Sequence, residues 1–220
     1  MGRTLDAAAI ADAAIALVDA HGVDALSMRR VGTELGVSGM ALYRHLSDRD
    51  DLLRRMVARI ASELPPVPAV DADWRETLRR LGLTAWIAFE RHPWLVDLAV
   101  SPTRLMDATS TVGTETALQR LIDAGCSPDH AEEIFVAVAA QPIGIARIAL
   151  SRAAERAVHY ADATAPGPLT AAFRAQAFDA ARGRRLLETA LDALLDGVAA
   201  SLTRTSGAIT PGTPQRKESK

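Results

Sequence analysis

Tyr43, Arg44 and His45 follow one another inside GVSGMALYRHLSDRDDLL, residues 36–53, between two turn signals. A phenol, a guanidinium and an imidazole all donate hydrogen bonds, and together they suit an anionic oxygen such as a phosphate. Arg44 also has the fork that pairs with guanine O6 and N7, and the Met40 side chain suits a thymine methyl. Ser38 and the helix start that follows it add backbone donors for a phosphate, and Gly39 permits close backbone approach. A helix of six or seven residues does not hold itself together in water, so these groups need packing from behind.

The positioning elements can be read around them. A first helix is expected from about Asp6 to Ala20, with Ile10, Ala13, Ala14, Leu17 and Val18 on one stripe and Gly22 as its cap. A second begins at the N-cap Ser27, buries Met28, Val31 and Leu35, and stops at Gly36. If Ser38 caps a third, Leu42 and Leu46 share its inward face, leaving Gly39, Met40, Tyr43 and Arg44 pointing outward. A fourth, from about Asp48 to Ser62, buries Leu53, Met56, Val57 and Ile60. Residues 27–46 then have the layout of a helix-turn-helix, whose second helix fits a DNA major groove about 12 Å wide.

Charge agrees with a local rather than a general polyanion binder. The 220 residues carry a net charge of −2, yet between Ser27 and Arg49 the arginines Arg29, Arg30, Arg44 and Arg49 outnumber the acids Glu34 and Asp48. Arg3 and Thr4 form too short and too weakly basic an arm to expect in a minor groove.

Other chemistries find little support. GVSGM fails the G-x-S-x-G pattern at its last position and lies between helices where a strand is required, so no nucleophile elbow is expected. No H-E-x-x-H, P-loop or paired-cysteine site occurs, and His92, His130 and His159 have no second histidine or cysteine at i+3 or i+4, so neither a metal nor a cofactor is expected. An enzyme on a helical bundle would need converging titratable groups, and none is evident. The single cysteine, Cys126, excludes an intrachain disulfide and fits a reducing compartment. No export signal is evident, and the apolar stretch Ile134–Leu150 is interrupted by Gln141, Pro142 and Arg147, so no membrane span and a cytoplasmic location are expected.

Alanine and leucine dominate and no segment alternates with period two, so the whole chain reads as all-α. Prolines 65, 66 and 68 mark a linker over residues 63–73, separating residues 1–62 from a second helical unit over 74–204; residues 205–220 read as a disordered tail. In the second unit helices are expected over Trp74–Arg91, after Pro93, over Pro102–Ala124, from Ser127 past Leu150 with a bend at Pro142 and Gly144, and near Leu169–Ala181 and Arg184–Thr203, with a loop over 159–168. Trp86, Phe89, Trp94, Met106 and Phe135 either line a ligand pocket or fill the core, and Gln141 needs a polar partner from a ligand or from the carbonyl freed at Pro142. The last helix carries a broad apolar band including Leu187, Leu191, Leu194, Leu195 and Val198, part of which is expected to pack on a second copy together with the helix from Ala131 to Leu150.

LSMRRVGTELGVSGMALYRHLSDRDDLL, from Leu26 to Leu53, resembles the DNA-binding signature of the tetracycline-repressor-like (TetR) family of bacterial transcriptional regulators. DWRETLRRLGLTAWIAFERHPWL and LLETALDALLDGVAASL resemble, more loosely, that family's C-terminal domains. The resemblance implies a homodimeric repressor that binds double-stranded operator DNA and is released by a small-molecule effector. By position it places DNA contacts at Ser27, Arg29, Ser38, Gly39, Met40, Tyr43, Arg44, His45 and Arg49. Gly39 and Met40 stand where some members carry residues that hydrogen-bond to bases. The rival reading, a helical adaptor that ignores DNA, would show no salt-dependent association with a duplex.

Overall fold

The computed structural model describes residues 5–66, 72–100, 108–150 and 179–207. They form α1 (Ala7–His21), α2 (Met28–Glu34), α3 (Gly39–Leu42), α4 (Arg49–Ala61), α5 (Trp74–Arg91), α6 (Leu95–Ala99), α7 (Ala108–Asp123), α8 (Pro128–Ala149) and α9 (Ala180–Gly207), with a 3-10 turn at Val23–Ala25. No strand occurs among the described residues, as the alanine- and leucine-rich composition leads one to expect. Residues 3–4, linker residues 67–71, Met106, the loop over 159–168, most of the helix expected near 169–181 and the tail from 208 lie outside the described residues.

The helices start where short polar side chains can take up free amide protons. Asp6 accepts from the Ala9 N–H at 2.8 Å, Ser38 from Ala41 at 3.2 Å, Asp48 from Asp51 at 2.7 Å and Asp73 from Glu76 at 2.8 Å. Each such cap stabilises its helix by about 1 kcal/mol. At α4 the cap is reciprocal, because the Asp51 carboxylate also accepts from the Ser47 N–H at 3.0 Å. That hydrogen bond, with Arg55 and Arg54 nearby, holds the Asp51 carboxyl below its ordinary value. Its stabilising effect is therefore complete above the ordinary carboxylate range and is lost only as the pH falls below it.

α1, α2, the α3 segment and α4 enclose one end of the core, with Ile10, Ala14, Val31, Leu42, Leu52 and Met56 fully buried. The core continues without a break into the second half, through Leu78 and Trp86 of α5, Leu121 of α7 and Ala131 and Val138 of α8. α8 runs through Pro142, and Gln141 donates to the Ala137 carbonyl at 3.3 Å. Its partner is thus the carbonyl four residues back, one residue before the one Pro142 frees.

α9 narrows the expected dimer surface. Leu187, Leu191 and Leu195 are 0% exposed, Val198 is nearly so, and Leu194 is half-buried. They pack on α5 and α8 of their own chain: a Cβ added at Gly82 would lie 2.8 Å from Leu191 Cδ1. The band is wide because α9 covers two helices of the same protomer, and of the five residues expected to face a second copy only Leu194 keeps substantial exposure.

Candidate nucleic-acid interface

The segment after Ser38 is shorter than a helix of six or seven residues. One α-helical turn, Gly39–Leu42, tightens as the Arg44 N–H donates to the Ala41 carbonyl at 3.4 Å and the His45 N–H to Leu42 at 2.8 Å. Leu42 and Leu46 clamp it from behind at 0% and 3% exposure. The turn before it is set by Gly36, with φ of 68°, and by the Val37 N–H donating to the Gly32 carbonyl at 2.9 Å.

On the outer side stand large side chains that a folded chain ordinarily covers. Met40 is 77% and Tyr43 51% exposed, and Ser27, Arg29, Ser38, Arg44 and Arg49 are exposed beside them, with His45 half-buried. Gly39 departs from expectation. A Cβ there would lie 3.2 Å from the Arg29 Cα, so its bare face meets the start of α2 and not the outside. The missing side chain lets α3 sit on the start of α2 at Met28 and Arg29.

Four arginines gather on this surface without a carboxylate partner among the described residues. Arg55, Arg59, Arg75, Arg79, Arg80, Arg147 and Arg184 each pair with a carboxylate. Arg29, Arg30, Arg44 and Arg49 make no ion pair among the described residues. Guanidinium groups left unpaired around an exposed tyrosine and a helix start form a donor set for phosphate oxygens and guanine edges.

Behind this surface the first half is fastened to the second by Asp19. Its carboxylate accepts from Trp94 Nε1 at 2.7 Å and lies 2.9 Å from His92 Nδ1, joining α1 to the α5–α6 turn. Trp94 is thus a fastening residue, not a pocket wall, and no sequence pattern links it to a carboxylate 75 positions away. Asp19→Ala should lower stability by about 1–2 kcal/mol, or roughly 2–8 °C in Tm by calorimetry. An unchanged Tm would show the contact to be idle.

Beside the end of α4, among α5, α6, α7 and α8, lies a cavity of about 580 Å³. Phe89 and Phe135 line it, as the pocket reading expects, together with Val57, Ile60 and Ala61 of α4. Trp86 and Gln141 do not. Trp86 is wholly buried against the start of α9, where a Cβ on Gly183 would lie 2.5 Å from its ring. No cluster of three or more metal-ligating side chains and no helix long and apolar enough to cross a membrane occurs among the described residues.

Residues 10–56, which hold α2, α3 and most of α1 and α4, match the family model for bacterial regulatory proteins of the tetR family. The HTH-type transcriptional repressor DrrR1 of Streptomyces coeruleorubidus is 31% identical over 163 residues, covering 73% of this chain and 60% of that repressor's length. The crystal structure of apo ActR from Streptomyces coelicolor superposes with a TM-score of 0.68 at 26% identity, covering 90% of this chain and 99% of that one. The fold of BioQ, solved with its double-stranded DNA operator, is also similar, with a TM-score of 0.59 at 24% identity over 70% of this chain and 92% of that one. With its helix-turn-helix seated on this all-helical frame, the chain belongs to the tetR family of bacterial regulatory proteins.

Proposed function

We propose that the chain is a homodimeric transcriptional repressor of the cytoplasm, one that binds a near-palindromic duplex through α3 and its flanks and is released when a small molecule fills the cavity beside α4. The observation that carries the reading is the exposed, unpaired set of Arg29, Arg44 and Arg49 around Met40 and Tyr43, on a helical turn clamped by Leu42 and Leu46. The similarity to named repressors supports it, as does the likeness in fold to a protein solved on its operator. The units we assign are residues 1–62 for DNA, a linker over 63–73 and residues 74–204 for ligand and dimer.

The dimer face we assign is not the buried leucine band but the outer side of α8 beside α9. Val136, Ala140, Gly144 and Ile148 repeat every four residues on α8 and are exposed, Val136 and Ile148 by 51% and 53%; Leu186 of α9 is exposed as well. Isologous packing of such a small, apolar face fixes the two reader turns about one DNA turn apart, roughly 34–36 Å. A ligand that favours another spacing shifts the population off DNA. A hundredfold release needs about 2.7 kcal/mol of differential affinity, within the ordinary range of coupling. α4 is the connecting element, since its last turns wall the cavity while its first residues adjoin the reader turn.

Alanine substitution tests the surface on a duplex selected from a random pool. Arg44→Ala should weaken binding by about 1–3 kcal/mol if it reads a guanine, and Tyr43→Ala should also weaken it. Arg184→Ala, on α9, should leave binding unchanged. Equal affinities for all three variants and the parent would refute the assignment.

A further inference from the structure

We infer that the cavity beside α4 takes a neutral, largely apolar molecule of drug size, and that the portion held inside carries no formal charge. This deepens the effector-site reading and rests on it. The described wall holds no Asp, Glu, Lys, Arg, His, Asn or Gln; its polar side chains are Ser62, Thr84 and Thr114. The Ser62 hydroxyl is already engaged, donating to the Arg59 carbonyl at 2.7 Å. The Thr84 hydroxyl makes no hydrogen bond among the described residues and offers a ligand one neutral partner.

An ion entering this space would shed its hydration and find neither counter-charge nor amide among the described lining residues to replace it. Apolar surface gains by the same transfer. Room comes from small side chains, Ala85 and Ala88 of α5, Ala99 at the end of α6 and Ala139 of α8, while Phe89 and Phe135 supply aromatic surface for a flat ring system. At about 580 Å³ the space matches sites that enclose drug-sized ligands.

A matched pair of probes tests the inference on the purified full chain. N-phenyl-1-naphthylamine is neutral; 8-anilino-1-naphthalenesulfonate has the same ring skeleton with a sulfonate fixed near its centre, where it cannot trail out of the mouth. Fluorescence titration should show the neutral probe binding at micromolar concentration and the sulfonate at least thirtyfold more weakly. Ala139→Trp and Ala85→Phe fill the space from two different helices, and each should weaken the neutral probe at least tenfold while far-UV circular dichroism and cooperative melting persist. Equal or tighter binding of the sulfonate, no binding of the neutral probe, or neutral binding unchanged in both variants would overturn the inference. A bound neutral probe that leaves the protein's duplex affinity unaltered would instead defeat the effector reading and leave the chemistry of the cavity standing.

Discussion

Gly32→Val should abolish specific duplex binding, lowering affinity at least a hundredfold, and destabilise the chain by about 2–3 kcal/mol. A Cβ at Gly32 would lie 2.8 Å from the Val37 carbonyl oxygen and 2.9 Å from the Gly39 amide nitrogen. Both are backbone atoms, so relief requires moving the turn itself. The branched methyls of valine extend further into the same space, and the Val37 N–H would lose its bond to the Gly32 carbonyl. The turn is what seats α3 on α2, so its displacement swings Met40, Tyr43 and Arg44 together. Helix propensity alone predicts the opposite sign, since a glycine within a helix is usually improved by a side chain. Gly197→Ala on α9, with open space around its Cβ, is the control and should be neutral or slightly stabilising. Full duplex affinity in Gly32→Val, read by anisotropy titration, would remove the turn from the binding geometry.

The second large effect separates core from interface on the last two helices. Leu191→Arg should unfold the second half rather than yield monomers. Its side chain is wholly buried against Gly82, and an unpaired charge there adds to the lost packing, for about 4–5 kcal/mol in all. Ala140→Arg places the same charge on the exposed side of α8 and should leave a folded monomer with weakened affinity for a two-fold site. Sedimentation velocity with circular dichroism tells the two apart. A folded, monomeric Leu191→Arg, or a dimeric Ala140→Arg, would restore the α9 band as the interface.

Much of this molecule is readable before folding because the informative spacings are local. Leu42 and Leu46 sit four apart and are both buried; Ser27, Ser38, Asp48 and Asp73 each precede a helix and cap it. Chemistry that depends on direction or distance was harder to read. A glycine in sequence announces that something comes close, but not from which side, and at Gly39 the neighbour is the start of α2. An apolar band announces burial but not against what; the leucines of α9 find α5 and α8. Trp94 reads equally well as wall, core or fastening until Asp19 is placed beside it. The cavity is similarly hidden, because it is made by small side chains contributed from separate helices.

The role of the α3 turn is tested most directly by titrating the purified protein with a duplex selected from a random pool, at salt concentrations rising from about 50 to 200 mM. Two protomers should bind each duplex, on half-sites about one helical turn apart, and affinity should fall about a thousandfold or more across that range. Failure to bind any duplex at the lowest salt, or binding that ignores salt and shows no two-fold site, would contradict a paired reader built on Tyr43 and Arg44.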